Sequence, residues 1–131
     1  GVVSLGAINF NNPLPISFIR PTNGEQALAI KVDGLGVILI TGCGHPGLQV
    51  LITRAEAVMG EPVVGVFGGL HYKDGKNVDL ANDAEILEER KVQQLAISPH
   101  DSDVQVIETF RTRFPDAYAD ILVGQPVVIK P

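Results

Sequence analysis

The sequence has little sulfur and no second thiol. Cys43 is the single cysteine among 131 residues, which excludes an internal disulfide and a cysteine-only zinc site. No apolar run approaches the about 18 residues that span a bilayer, so no membrane partner is expected. No signal-peptide pattern opens the chain, and the default setting is reducing and cytoplasmic. Lysine and arginine number only 10 against 15 acidic residues, a net charge of −5. They are scattered without a basic stripe, which argues against a nucleic-acid partner.

The composition is that of a packed domain. Hydrophobic residues make up 45% and charged residues 19%, with a mean hydropathy of +0.21, so the chain is not disordered. Its length supports one domain with its own core, over 1–131, and not comfortably two. Fourteen glycines and nine prolines predict many tight turns. The chain begins with Gly1, and the opening GVVSLGAINFNNPLPISFIRP is apolar without a clear period. Residues 1–24 read as an irregular lead-in, with a short strand near Val2–Ile8, and as the tail of something upstream.

Gln26–Ile40 predicts a hairpin: Ala27–Val32, a turn at Asp33-Gly34-Leu35-Gly36, then Val37–Ile40. The second strand is apolar on both faces and should be central. It ends in Thr41-Gly42-Cys43-Gly44-His45. Pro46–Met59 predicts a helix with proline at its first position. Leu48, Leu51, Ile52, Ala55, Val58 and Met59 fall on its apolar stripe, and Gly60 and Pro62 stop it. Pro62–Phe67 is the next buried strand, ending in Gly68-Gly69-Leu70-His71. After the polar loop 72–77, Asn82 or Asp83 caps a helix to about Val92. Its Glu88-Glu89-Arg90-Lys91 run reads as a solvated face. Leu95–Ser98 is a short strand ending in Pro99-His100-Asp101. Asp103 then caps a helix with Val104, Ile107, Phe110 and Phe114 on one face. Ile121–Val123 and Val127–Ile129 close the chain as strand and edge strand.

All three histidines thus follow predicted strand ends. Strands alternating with helices imply an α/β layer with parallel neighbours, and right-handed crossovers place those ends on one rim. His45, His71 and His100 would share that rim with Cys43 and Asp101. Imidazole, carboxylate and thiolate donors suit zinc, iron or manganese. Each residue also has a plainer reading. Cys43 is either a small buried residue or a thiolate activated by the following helix and a metal. Gly42 and Gly44 either offer backbone N–H groups to an anion or serve only the turn. Asp101 either shapes the turn or orients an imidazole; Asp103 fits a cap better than a ligand. Tyr72 could donate to a substrate oxygen.

The segments ALAIKVDGLGVILITGCGHPGLQ, VFGGLHY, ISPHDSD and ILVGQPVVI, in that order over about residues 24–129, resemble the C-terminal half of the metallo-β-lactamase-fold superfamily. The branch most similar in pattern includes dihydropterin-ribofuranosylaminobenzene-phosphate synthase-like proteins. The resemblance implies half of an αββα sandwich, a mixed sheet with helices on one face. It implies a usually binuclear metal site and metal-activated water attacking an ester, amide or phosphoester of a small-molecule substrate. His45 and His100 would be ligands or their near neighbours, and His71 a ligand or substrate contact. Cys43 stands where relatives often place a bridging acidic residue. The family's leading His-x-His-x-Asp-His signature is absent; the closest two histidines, His45 and His71, are 26 positions apart. That signature belongs to the N-terminal half, the expected main partner of this sheet. Without it the isolated chain should be inactive, and its bare face should self-associate as a homo-oligomer. Asp101 also stands where this branch commonly has cysteine. The alternatives are a non-catalytic α/β binding or assembly module and a thiol-dependent activity of Cys43 with His45.

Overall fold

The computed structural model describes residues 3–9, 25–72, 78–100 and 102–129, with only the backbone of 3–9 and of 78 and 79. Asp101 and the loop 73–77 lie outside the described residues, as do the turns expected between 10 and 24. Among the described residues, five strands form one sheet in chain order: β1 (Val3–Asn9), β2 (Gln26–Val32), β3 (Gly36–Thr41), β4 (Val63–Gly68) and β5 (Gln94–Ile97). The first three are antiparallel neighbours, and β3, β4 and β5 run parallel. The mixed sheet and its central, fully apolar β3 follow the sequence pattern. The lead-in is less irregular than expected, since β1 pairs along all of β2.

Among the described residues, three helices, α1 (Leu48–Met59), α2 (Val78–Glu89) and α3 (Val104–Arg113), pack on one face. The register explains which one. Ala29, Leu39, Val66 and Leu95 are successive cross-strand partners. They form a single buried cluster with Leu48, Leu51, Ile52, Ala84, Leu87, Val106 and Phe110 from the helices. Each large side chain fully buried there contributes about 1.5–3 kcal/mol. The alternating residues face the other way, and there Leu28 and its partner Ile40 remain 39% and 38% exposed. One covered face and one partly bare apolar face make half of a layered sandwich.

Several boundaries differ from the sequence reading. Helix α1 starts at Leu48, not Pro46. Gly47, at φ 88°, cannot continue a right-handed helix, and the Gly47 N–H instead donates to the Gly44 carbonyl at 2.9 Å. Val58 lies off the buried stripe at 51% exposure. Helix α2 begins at Val78, and Asp83 is a buried residue within it rather than its cap. Asp103 is the α3 N-cap by backbone geometry, but its side chain makes no capping bond. The buried seam of α3 is Val106 and Phe110, while Val104 is 81% exposed. Apolar residues at 104, 106 and 107 fit two helical stripes, and only packing chooses between them. Residues 121–129 are not strands. A single bridge, Leu95 to Tyr118, runs beside β5. Ile121, Leu122, Val123, Val128 and Ile129 stay exposed beyond it, with no ladder partner among the described residues.

Candidate functional site

The candidate site begins where the parallel strands stop. Thr41, Gly68 and Ile97 are aligned across β3, β4 and β5, so the segments carrying His45, His71 and His100 leave the sheet on one rim. Two of those segments are stitched together. The buried Thr41 hydroxyl donates to the Gly69 carbonyl at 2.7 Å. The Gly69 N–H donates to the Gly42 carbonyl at 3.0 Å. Such an approach leaves no room for side chains. A methyl on Gly69 would press into the Gly42 carbonyl oxygen, and one on Gly44 would sit 2.7 Å from the Gly69 carbonyl oxygen. Gly44 also has φ 76°, which residues with a Cβ disfavour.

The joined turns bring two histidines together. The rings of His45 and His71 lie 4.6 Å apart, tilted by 47°. Glu25 holds the first of them. Its Oε1 accepts the Gly44 N–H at 2.6 Å; its Oε2 accepts the His45 N–H at 3.0 Å and pairs with His45 Nδ1 at 2.8 Å. A carboxylate only accepts, so Nδ1 carries a proton, and in the neutral imidazole the lone pair is on Nε2. The Glu25 side chain is 11% exposed and the His45 side chain 49%, so the carboxylate is sheltered while the imidazole is open. Of the two glycines offered to an anion, Gly44 has its N–H engaged by Glu25.

His71 is exposed and sits at φ 54°, in the left-handed region. Tyr72, beside it, points the other way. It is 3% exposed, and its hydroxyl donates to Asp83 Oδ2 at 2.5 Å. It stands behind the rim rather than before a substrate. The Cys43 thiol is half-buried on the same turn. His100 is exposed on the third segment, where its N–H donates to Ser98 Oγ at 3.2 Å. Among the described residues, no group of three or more His, Cys, Asp or Glu is arranged to hold a metal ion.

The donor set nonetheless fits one side of a metal shell. A carboxylate on Nδ1 with Nε2 free is the usual support of a ligating histidine, and a second imidazole lies against it. Catalytic zinc sites use three protein ligands, so others would have to join this pair. Sequence reasoning missed Glu25, Thr41 and Asp83. Glu25 had a readable signal: continuing the β2–β3 register past Leu28↔Ile40 sets it opposite Cys43, beside the glycine turn.

The fold is shared with a solved structure from the β-lactamase superfamily. A solved structure of a metal-dependent hydrolase of that superfamily matches with a TM-score of 0.72 at 20% identity, over 82% of this chain and 41% of the other. In sequence, the chain is similar to the 7,8-dihydropterin-6-methyl-4-(β-D-ribofuranosyl)-aminobenzene-5′-phosphate synthase of Methanocaldococcus jannaschii. The identity is 25% over 140 residues, covering 95% of this chain and 47% of the relative. Both likenesses agree with the superfamily and the branch that the motifs resemble. The chain spans about half the length of the curated relative it matches. No protein-family model matches it.

Proposed function

We propose that this chain forms one wall of a metal-dependent catalytic cleft, completed by an N-terminal half of the same protein. The carrying observation is the His45–His71 pair, with rings 4.6 Å apart, backed by Glu25 on a rim of the β-lactamase-superfamily fold. Imidazole and thiol donors favour zinc, with iron and manganese as alternatives. A metal bound there would polarise the substrate oxygen and lower the pKa of water, for attack on an ester, amide or phosphoester. The residues of this chain would do the holding. Glu25 fixes the His45 tautomer and keeps Nε2 available. His71 supplies the neighbouring nitrogen, and Cys43, His100 and Asp101 lie on the adjoining segments. The synthase named above suggests a small phosphate-bearing substrate. Its name also leaves the reaction class wider than hydrolysis.

That N-terminal half would carry the remaining ligands and cover the Leu28–Ile40 face. Its absence would leave that face to self-association. A single free thiol suits a reducing, cytoplasmic setting. Metal analysis of the full-length protein is the test, with alanine at His45, His71 and His100. Bound transition metal that falls in the variants supports the proposal; no metal and no effect of the three substitutions sinks it. Replacing Leu28 or Ile40 by glutamate should destabilise the full-length protein, and indifference would refute the covered face.

A second reading is a non-catalytic binding or assembly module. It is favoured by the lack, among the described residues, of a three-donor cluster. The encoding reading frame discriminates: an upstream extension with clustered histidines removes this alternative. A thiol activity of Cys43 with His45 would be dismissed by alkylation without loss of any activity.

A further inference from the structure

His71 is an exposed residue in a backbone conformation that side chains with a Cβ disfavour, with φ at 54°. Something must hold it there, because its contact with His45 depends on that conformation. The residue before it, Leu70, is buried under Gly44. The residue after it is fixed from three directions. The Tyr72 hydroxyl donates to Asp83 Oδ2 at 2.5 Å, inside α2. The Tyr72 carbonyl accepts the Asp103 N–H at 3.1 Å, at the start of α3. The Tyr72 ring packs on Phe110 of α3, centroids 5.6 Å apart. Tyr72 is 3% exposed and Asp83 6%, so each is the buried partner that satisfies the other.

We propose that Tyr72 and Asp83 are positioning residues, and that their buried bond sets the His71 imidazole against His45. The Tyr72–Phe110 contact does not need the hydroxyl; the precise anchoring of the chain after His71 does. Removing a group bonded directly to a ligating imidazole typically weakens metal binding by about 10–100-fold, and support through the adjacent residue acts at the lower end of that range. The metal arm of this inference rests on the function proposed above; the imidazole contact does not.

The test uses the full-length protein with Tyr72→Phe, Asp83→Ala and Asp83→Asn. Tyr72→Phe keeps the ring on Phe110 and removes only the donor. Asp83→Asn keeps an acceptor for the tyrosine and is the conservative rescue. Two readouts are taken. One is the nuclear Overhauser contact between the His45 and His71 rings in metal-free protein, and the other is the zinc dissociation constant. Tyr72→Phe and Asp83→Ala should lose the ring contact and weaken zinc binding by about tenfold or more, while Asp83→Asn retains both. A fall in thermal stability with ring contact and zinc affinity unchanged would overturn the proposal and leave the pair merely structural. If the wild-type protein binds no zinc, the proposed function fails. The ring contact then decides alone, and its survival in Tyr72→Phe and Asp83→Ala overturns the inference.

Discussion

Removing the Glu25 carboxylate should loosen the turn that carries His45. In Glu25→Ala the Gly44 N–H, which is buried, loses its acceptor at 2.6 Å. A buried donor left unpaired costs about 1–3 kcal/mol. The other two bonds go to the exposed His45, where water can substitute, and together they add about 0–1 kcal/mol. The sum is roughly 1–4 kcal/mol, or a fall in Tm of about 4–16 °C for a domain of this size. Urea and thermal unfolding read the stability. Nitrogen–proton correlation of the imidazoles reads the tautomer. Wild-type His45 should carry its proton on Nδ1. In Glu25→Ala the tautomers should mix. In Glu25→Gln the amide NH2 would face Nδ1 and drive the proton to Nε2, where it blocks the lone pair. A loss of less than about 0.5 kcal/mol with an unchanged tautomer would refute the assigned role of Glu25.

Gly69→Ala should cost at least about 1–3 kcal/mol, because its methyl meets the Gly42 carbonyl rather than a movable side chain. It should also abolish the His45–His71 ring contact, which a two-dimensional Overhauser spectrum would show. Leu51→Ala empties a fully buried position under the sheet and should cost about 2–5 kcal/mol by urea unfolding. At Tyr118, burial and then the Asp120 charge push the hydroxyl above its ordinary value, outweighing Arg111 and the Ile97 backbone. The folded state therefore keeps the proton longer than the unfolded state. Stability from this group is full below about pH 10 and is lost as pH rises through the folded value. Unfolding midpoints measured on either side of that pH should fall in the wild type and fall less in Tyr118→Phe.

Much of the layer was legible without coordinates. Local signals carried the hairpin, the α1 stripe and the three strands followed by histidines. Each rests on a period of two or of 3.6 residues, or on glycine and proline at a turn. Those signals failed where two local answers were equally good. The apolar residues at 104, 106 and 107 fit two stripes of α3. Pro46 fits a first helical turn until Gly47 takes a left-handed φ. Ile121–Val123 and Val127–Ile129 have strand composition, but a strand also needs a free edge beside it.

The chain by itself determined that three histidines and a cysteine follow strand ends, because apolar runs and glycines mark those ends along the sequence. Their order also carried the likeness to the metallo-β-lactamase superfamily. Only the tertiary structure decided which of them meet. The 26 positions between His45 and His71 are crossed because β3 and β4 run parallel in register and Gly69 lets the two turns touch. Glu25 enters through antiparallel pairing, and Asp83 through the seat of α2 behind Tyr72. Those contacts depend on register, close approach and burial between distant segments, which no local period records.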